Sequence, residues 1–457
     1  MKWSLLALCA AAPLAYGAQD QPEQRPGIIS PTSAALAPVT VEKARPNYSI
    51  HYQSTVIDQG HPRFHANYSG PNSFQSYKEA DVSVTSTFFL GWQPWRGTSF
   101  FWNPELSGGQ GMSGAFGISG FPNGETYRIG NPQPVLKTAR LYAQQVIGFT
   151  EETERVEDGI NQVAGVVPKE RLTLTGGKFG MMDWFDNNAY SHDPRSQFMN
   201  WNLANSGAWD YPADTFGYTW GAVAEYHTPV WAARGAAVAE PEVANQIKLD
   251  RRVGKSHGFV LEGEHQADVD DHKGTVRLLM YFNQAHMGNY DEAIARAQTT
   301  GTTPDVTASR SYAHTKYGFT SSDDLQLTET LGWFTRLSWS DGHNESWAYT
   351  ECDGSLATGL DWTAAAFDRP KDHWGFAELV DVLSTPHRRY LANGGLGFQL
   401  GDGSLHYGPE VITETYYSIQ VREWFKLSPD LSLLVNPGYN RDRGPVAIYG
   451  LRAHVEF

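Results

Sequence analysis

The last nine residues of the chain alternate. From Tyr449 they run Tyr449, Gly450, Leu451, Arg452, Ala453, His454, Val455, Glu456, Phe457, with apolar side chains at odd numbers and mostly polar or charged ones at even numbers. Successive side chains of a β-strand point to opposite faces, so this is a ribbon with one apolar and one polar side. The same period of two recurs upstream. Val82, Val84, Ser86, Phe88 and Leu90 stand opposite Ser83, Thr85 and Thr87. Phe216, Tyr218, Trp220, Ala222, Ala224 and Tyr226 stand opposite Gly217, Thr219, Gly221 and Glu225. Val276, Leu278, Met280 and Phe282 face away from Arg277 and Asn283, and two longer ribbons run from Leu325 to Trp339 and from Val411 to Phe425.

Ribbons of about ten residues or more suit strands that cross a bilayer at a tilt. Strands of globular sandwiches are shorter, about five to six residues. A final amphipathic strand closed by Phe457 matches the ends of bacterial outer-membrane barrels. The pattern therefore predicts an all-β fold: a transmembrane antiparallel β-barrel, its apolar face on lipid and its polar face on a lumen, with inward-folded and extracellular loops. At roughly 22–28 residues per strand and connection, the chain makes about 16 to 18 strands, and 16 are expected. Residues 47–457 read as one barrel without internal repeats. Residues 19–46, with Pro22, Pro26, Pro31, Pro38 and Pro46, read as an extended periplasmic lead-in. Residues 1–18 read as a signal peptide: Lys2, the apolar run Leu5–Ala12, then small residues at Ala15, Gly17 and Ala18, with the cut after Gly17 or Ala18. Leu8 before Cys9 is wrong for a lipoprotein, and loss of the leader leaves Cys352 alone, so no intramolecular disulfide is expected.

Composition changes little. Mean hydropathy is −0.44, yet barrel strands give lipid only every second residue, so a low average is compatible with a membrane barrel. Aromatics make up 13% of the chain, enough for interfacial girdles of Trp and Tyr, although a secreted all-β carbohydrate enzyme is equally aromatic. A formal net charge of −15 argues against nucleic acid as a partner.

Three stretches break the alternation and are candidates for the lumen or mouth. The first is Gly-rich, from Trp102-Asn103-Pro104-Glu105 to Gly120-Phe121-Pro122-Asn123-Gly124-Glu125. The second runs from Met182 to Tyr211 and mixes Trp184, Trp201 and Trp209 with Asp, Asn and Arg. Aromatic faces stack on the C–H face of a pyranose, while carboxylates, amides and guanidinium groups bond its hydroxyls. The third, His286 to Ala293, reads as the start of a short helix in a loop. Asp183, Asp186, Asp193 and Asp210 also admit a glycosidase reading with paired carboxylates. Asp268, Asp270, Asp271 and His272 read as a hydrophilic turn more readily than as a cation site, and His257, His265 and His286 lack a short ligand spacing. Asn47 and Asn67 head Asn-x-Ser sequences that matter only in a eukaryotic secretory path.

Several phrases resemble the carbohydrate-selective porins of the OprB type. They are Phe101-Trp102-Asn103-Pro104-Glu105-Leu106, Gly120–Glu125, Phe185-Asp186-Asn187-Asn188-Ala189-Tyr190-Ser191-His192-Asp193-Pro194-Arg195, Gly207–Thr215 and Asn440-Arg441-Asp442-Arg443-Gly444-Pro445. The resemblance spans about Asn47 to Phe457 and implies a 16-stranded outer-membrane barrel passing sugars by diffusion, with no covalent chemistry, cofactor or metal. From loop chemistry, Arg128, Arg195 and Asp210 are expected to bond hydroxyls and Trp184 and Trp209 to stack, with Asp186, Asn187 and Asn188 completing the path. Replacing Trp209 or Arg195 with Ala is then expected to weaken sugar block, loss of the stacking aromatic removing on the order of 1 kcal/mol. Partners are sugars, outer-membrane lipid and the barrel-assembly machinery, as a monomer or a homotrimer. The other readings are a general or anion-preferring porin and a secreted all-β glycoside hydrolase. In the last strand, Val455→Arg is expected to cost about 2–4 kcal/mol on the lipid face and to lower folded yield more than His454→Arg.

Overall fold

The computed structural model describes residues 47–125, 133–269 and 272–457. The signal peptide, the lead-in and Arg128 lie outside the described residues. The strands are β1 Tyr48–His61, β2 Glu79–Trp95, β3 Thr98–Gly109, β4 Val135–Gly148, β5 Thr153–Val156, β6 Gly165–Pro168, β7 Arg171–Phe179, β8 Thr219–His227 and β9 Trp231–Val238. They continue with β10 His257–Val269, β11 His272–Gln284, β12 Thr315–Thr328, β13 Leu331–Ser340, β14 Gly354–Ala364, β15 Arg369–Val382, β16 Glu410–Arg422, β17 Phe425–Val435 and β18 Val446–Glu456. All but β5 and β6 form one closed barrel of 16 antiparallel strands, each beside its chain neighbour. β1 and β18 close it, Gln53 opposite Glu456 and Gly60 opposite Tyr449.

The alternation is the reason this sheet stands in lipid. Val276, Leu278 and Met280 point outward and are exposed, whereas Arg277 between them is buried in the interior. Trp95, Trp231 and Trp424 are exposed at the end with short turns, and Trp220 and Trp339 at the opposite end. These are the levels of interfacial aromatic girdles. Both described ends of the barrel, Tyr48 and Glu456, sit at the short-turn end, which is periplasmic in such barrels, and long loops crown the other end.

Strand boundaries differ from the sequence reading in four places. The ribbons 325–339 and 411–425 are each two strands joined by a tight turn. A bulge precedes each turn, at Gln326/Thr328 and Gln420/Arg422, and outward side chains keep odd numbers on both sides, so the alternation passes through unbroken. Trp102-Asn103-Pro104-Glu105 lies inside β3, where Pro104 is tolerated because it sits at a bulge opposite β4. Phe216 and Tyr218 precede β8 and face the interior. In β18 the faces are as expected, with His454 inside and bonded to Thr55 at 2.9 Å. Val455, however, is two residues from the chain end at the rim, where the cost of an Arg falls to about 0–1 kcal/mol.

Helices α1 Trp201–Ala204, α2 Tyr290–Thr300 and α3 Thr385–Ala392 belong to the long loops. α2 and α3 pack together over the mouth around buried His387. Its ring stacks on Tyr290 at 4.3 Å, and its Nδ1 lies 3.0 Å from Asp353, which also meets Lys316 at 3.2 Å. Burial disfavours the charged imidazole, but Asp353 and Glu351 outweigh it and hold the His387 pKa above 6.5. Asp353 is buried too, yet Lys316 and His387 hold it well below 3.8. The stabilisation from His387 is complete below about pH 6.5 and is lost as pH rises through its raised value. That from Asp353 is complete above about pH 3.8 and is lost in acid. Hydrogen exchange in 385–392, corrected for intrinsic rate, is expected to quicken as pH rises through the raised His387 pKa. An unchanged corrected rate contradicts the assignment.

Candidate functional site: a charge-paired aromatic passage through the lumen

Part of the lumen is filled by the chain itself. The segment from Gly180 to Tyr218, between β7 and β8, folds inward and is held by polar side chains on the inner faces of β10 to β18. Asp186 accepts from Arg336 Nε at 3.2 Å, and its own N–H donates to Glu262 at 2.7 Å. Asn188 Nδ2 donates to Ser322 Oγ at 3.3 Å. The Met199 and Asn200 amides both donate to Glu414, and Arg452 donates to the Pro194 and Gln197 carbonyls. Asp210 accepts from the Trp347 and Ala348 amides at 2.8 and 2.9 Å, and burial raises its carboxyl pKa, opposed by Lys316. Trp209 is 1% exposed and packs against Tyr211 and Phe185. A strand interior this polar needs partners for its buried groups, and the inward segment supplies many of them.

The open side follows β1 to β4, β7 and β8. Three cavities lie in series from the loop end to the turn end. The outer, about 730 Å³, is bounded by Lys137, Lys178, Phe216, Ile247 and Arg251. The middle and smallest, about 70 Å³, is bounded by Glu105, Glu125, Lys137, Arg195, Trp201, Phe216 and Tyr218. The inner, about 310 Å³, is bounded by Gln53, Arg140, Tyr142, Asp183, Trp184 and Arg195 among others. Neighbouring cavities share walls: Lys137 and Phe216 join the outer two, and Glu125, Arg195 and Tyr218 the inner two.

Charges at the middle and inner cavities come in pairs. Arg195 Nε meets Glu125 at 2.8 Å, and its Nη2 lies 3.7 Å from Glu105. Lys137 meets Glu105 at 3.1 Å and lies 4.1 Å above the Phe216 ring. Arg140 grips Asp183 with two bonds, 2.7 and 2.6 Å. Burial works against the Arg195 charge, but Glu125, Asp193 and Glu105 outweigh it and raise its pKa. Burial raises the Glu125 pKa against the pull of Arg195. Alternating paired charges cancel at a distance, so this stretch offers many hydrogen-bond partners and little net field, whereas the outer cavity has Lys137, Lys178, Lys248 and Arg251 against Asp214 and Asp250.

Of the residues singled out from sequence, Trp184 and Arg195 line the passage, whereas Asp186, Asn187, Asn188, Trp209 and Asp210 are buried where the inward segment meets the wall. Sequence reasoning did not select Glu105, Glu125, Lys137, Arg140, Phe216 and Tyr218. The inward parity of charged strand residues is the signal that marks Glu105, Lys137 and Arg140, once the bulges are placed. Trp201 lines the passage by its edge alone, since Phe121 and Tyr349 cover its faces at 5.6 and 4.8 Å. The four aspartates of the glycosidase reading are spent on Arg140, Arg336, local loop amides and the Trp347–Ala348 backbone. Among the described residues no group of three or more His, Cys, Asp or Glu is placed to hold a metal ion.

A closed barrel with an apolar outer band, long loops at one end and a narrowed polar lumen is an outer-membrane diffusion channel, a porin. The chain belongs to the family described as "Carbohydrate-selective porin, OprB family", whose model matches residues 92–457, and it is a carbohydrate porin of the outer membrane. No curated protein sequence matches it. In fold it is similar to the high-pH structure of Pseudomonas putida OprB, with a TM-score of 0.66 and 16% identity over 90% of this chain and 94% of that one. The low-pH structure of the same protein gives 0.49 and 13% over 90% and 93%. The outer-membrane channel DcaP of Acinetobacter baumannii gives 0.48 and 10% over 92% and 100%.

Proposed function

We propose that neutral sugars cross by the passage along β1 to β4, β7 and β8, sliding over Phe216, Tyr218 and Trp184 while their hydroxyls exchange between Lys137, Arg195, Arg140 and the paired carboxylates. The observation that carries this reading is the pairing of charge with aromatic surface at the smallest cavity. A neutral polyhydroxyl finds donors and acceptors there without a field that traps or rejects it. Asp186, Asn187, Asn188, Trp209 and Asp210 act as the scaffold that holds the inward segment in place. Secretion through a cleaved leader of about 18 residues and insertion by the barrel-assembly machinery belong to the same reading.

The test is sugar block of ion current in a planar bilayer. Arg195→Ala is expected to weaken block about tenfold or more, since hydrogen bonds to charged groups are worth roughly 1.5–3 kcal/mol. It is also expected to make the pore more cation-selective, because Glu125 and Glu105 lose a counter-charge. Unchanged block and ion selectivity remove Arg195 from the path.

A further inference from the structure

The turn end of the barrel carries one long connection among the described residues, from Phe149 to Glu170, where other turns take a few residues. It forms the small hairpin of β5 and β6 and then doubles back under the lumen. Its tip is a tight turn in which Gly159 and Gln162 exchange backbone bonds at 3.1 and 3.0 Å around Ile160 and Asn161. Val156, Ile160, Asn161, Gln162 and Val163 form part of the inner cavity's wall, opposite Arg140 and Trp184.

This placement is built. Arg171 at the start of β7 holds Glu154 at 2.7 Å with both side chains buried, and it also donates to the Pro168 carbonyl at 2.8 Å. Ser49 Oγ donates to the Gly159 carbonyl at 3.2 Å, and His51 lies 3.3 Å from Asp158, so the tip is tied to β1, three strands from β4. Val163 is 6% exposed and belongs to the same core as Phe101 and Tyr142. On β2 the inward position facing it is Gly91, where a Cβ would come within 3.1 Å of a Val163 methyl. A side chain there would crowd both Phe101 and Val163, so the bare wall position leaves room for the hairpin. Asn161 sits in the left-handed region at φ 54, and its buried Oδ1 has no partner in the protein.

We infer that the Thr153–Pro168 hairpin is a second filter, at the periplasmic exit, which sets the size limit of the channel below the charge-paired narrowing. A solute leaving the inner cavity has to pass the hairpin tip, which is seated against the β1 to β4 wall. The inference needs the lumen to conduct and does not need it to bind sugar.

The test is single-channel current with polyethylene glycols of graded size as non-electrolyte probes. In Ile160→Cys, a bulky thiol reagent added from the turn end is expected to lower conductance about twofold, while the unsubstituted protein, whose Cys352 is buried, does not respond. Replacing Asp158–Val163 by a two-glycine turn is expected to raise conductance and admit larger glycols. Unchanged current after complete labelling of Ile160→Cys overturns the inference, and this readout stands even where the shortened variant fails to assemble. A wild-type pore that ignores every sugar overturns the sugar path proposed above and leaves the glycol and labelling readouts to decide the exit filter.

Discussion

Arg336→Ala is expected to empty the lumen without opening the barrel wall. The Arg336 guanidinium is 2% exposed, bonds the Asp186 carboxylate and backbone carbonyl, and donates to the Leu203 carbonyl as well. It is the cation that ties Asp186 to Leu203 within the inward segment, where Asp186 also takes the Ser206 amide at 2.7 Å. Removing it leaves a buried carboxylate without its counter-charge, which costs about 3–5 kcal/mol. β13 keeps its backbone ladders to β12 and β14, so the cost falls on the inward segment. Conductance is expected to rise, with noisier open-state current and protease cleavage within residues 180–218, while the unheated protein still migrates as a folded barrel. Arg336→Ala combined with Asp186→Asn is expected to recover part of the loss, because neither partner is then a lone buried charge. A quiet pore of wild-type conductance contradicts the pinning role.

Leu451→Arg carries the second large effect. Leu451 is the sixth of eleven residues in β18, points outward and is 46% exposed toward lipid. An Arg near the midplane costs about 2–4 kcal/mol, and the penalty fades toward the interfaces. The yield of heat-modifiable barrel is expected to drop sharply for Leu451→Arg and to stay near wild type for Val455→Arg at the rim. Equal losses at both positions mean that the depth of β18 in the membrane is wrong.

The barrel was legible in sequence because its physics is local. Each strand has to alternate to satisfy lipid outside and polar groups inside, and Val276 to Phe282 or Tyr449 to Phe457 state that in a few residues. Turns were harder, since the bulges at Gln326/Thr328 and Gln420/Arg422 keep the outward parity and so erase the usual break in pattern. Pro104 misled for the same reason: a bulge absorbs it.

The site was legible only in part. The mixture of Trp, Asn, Asp and Arg in the inward segment is visible in sequence, but which of these residues face water depends on contacts with strands far along the chain. Trp209 and Arg195 sit fourteen positions apart in similar company, yet one packs beneath Tyr211 and the other faces Glu125. The partners of Arg195 and Lys137 come from β3 and the following loop, so their pairing exists only once the barrel closes. The exit hairpin left no sequence mark, because Ile160, Asn161 and Gln162 resemble any loop until Gly91 is seen to make room for Val163.

The most direct test of the central claim is the wild-type protein in a planar bilayer, titrated in turn with neutral mono- and oligosaccharides and with phosphate. The account predicts reversible, concentration-dependent block by neutral sugars, weakened in Arg195→Ala, with no preferential response to phosphate. A current that responds to phosphate or other anions but to no sugar contradicts it.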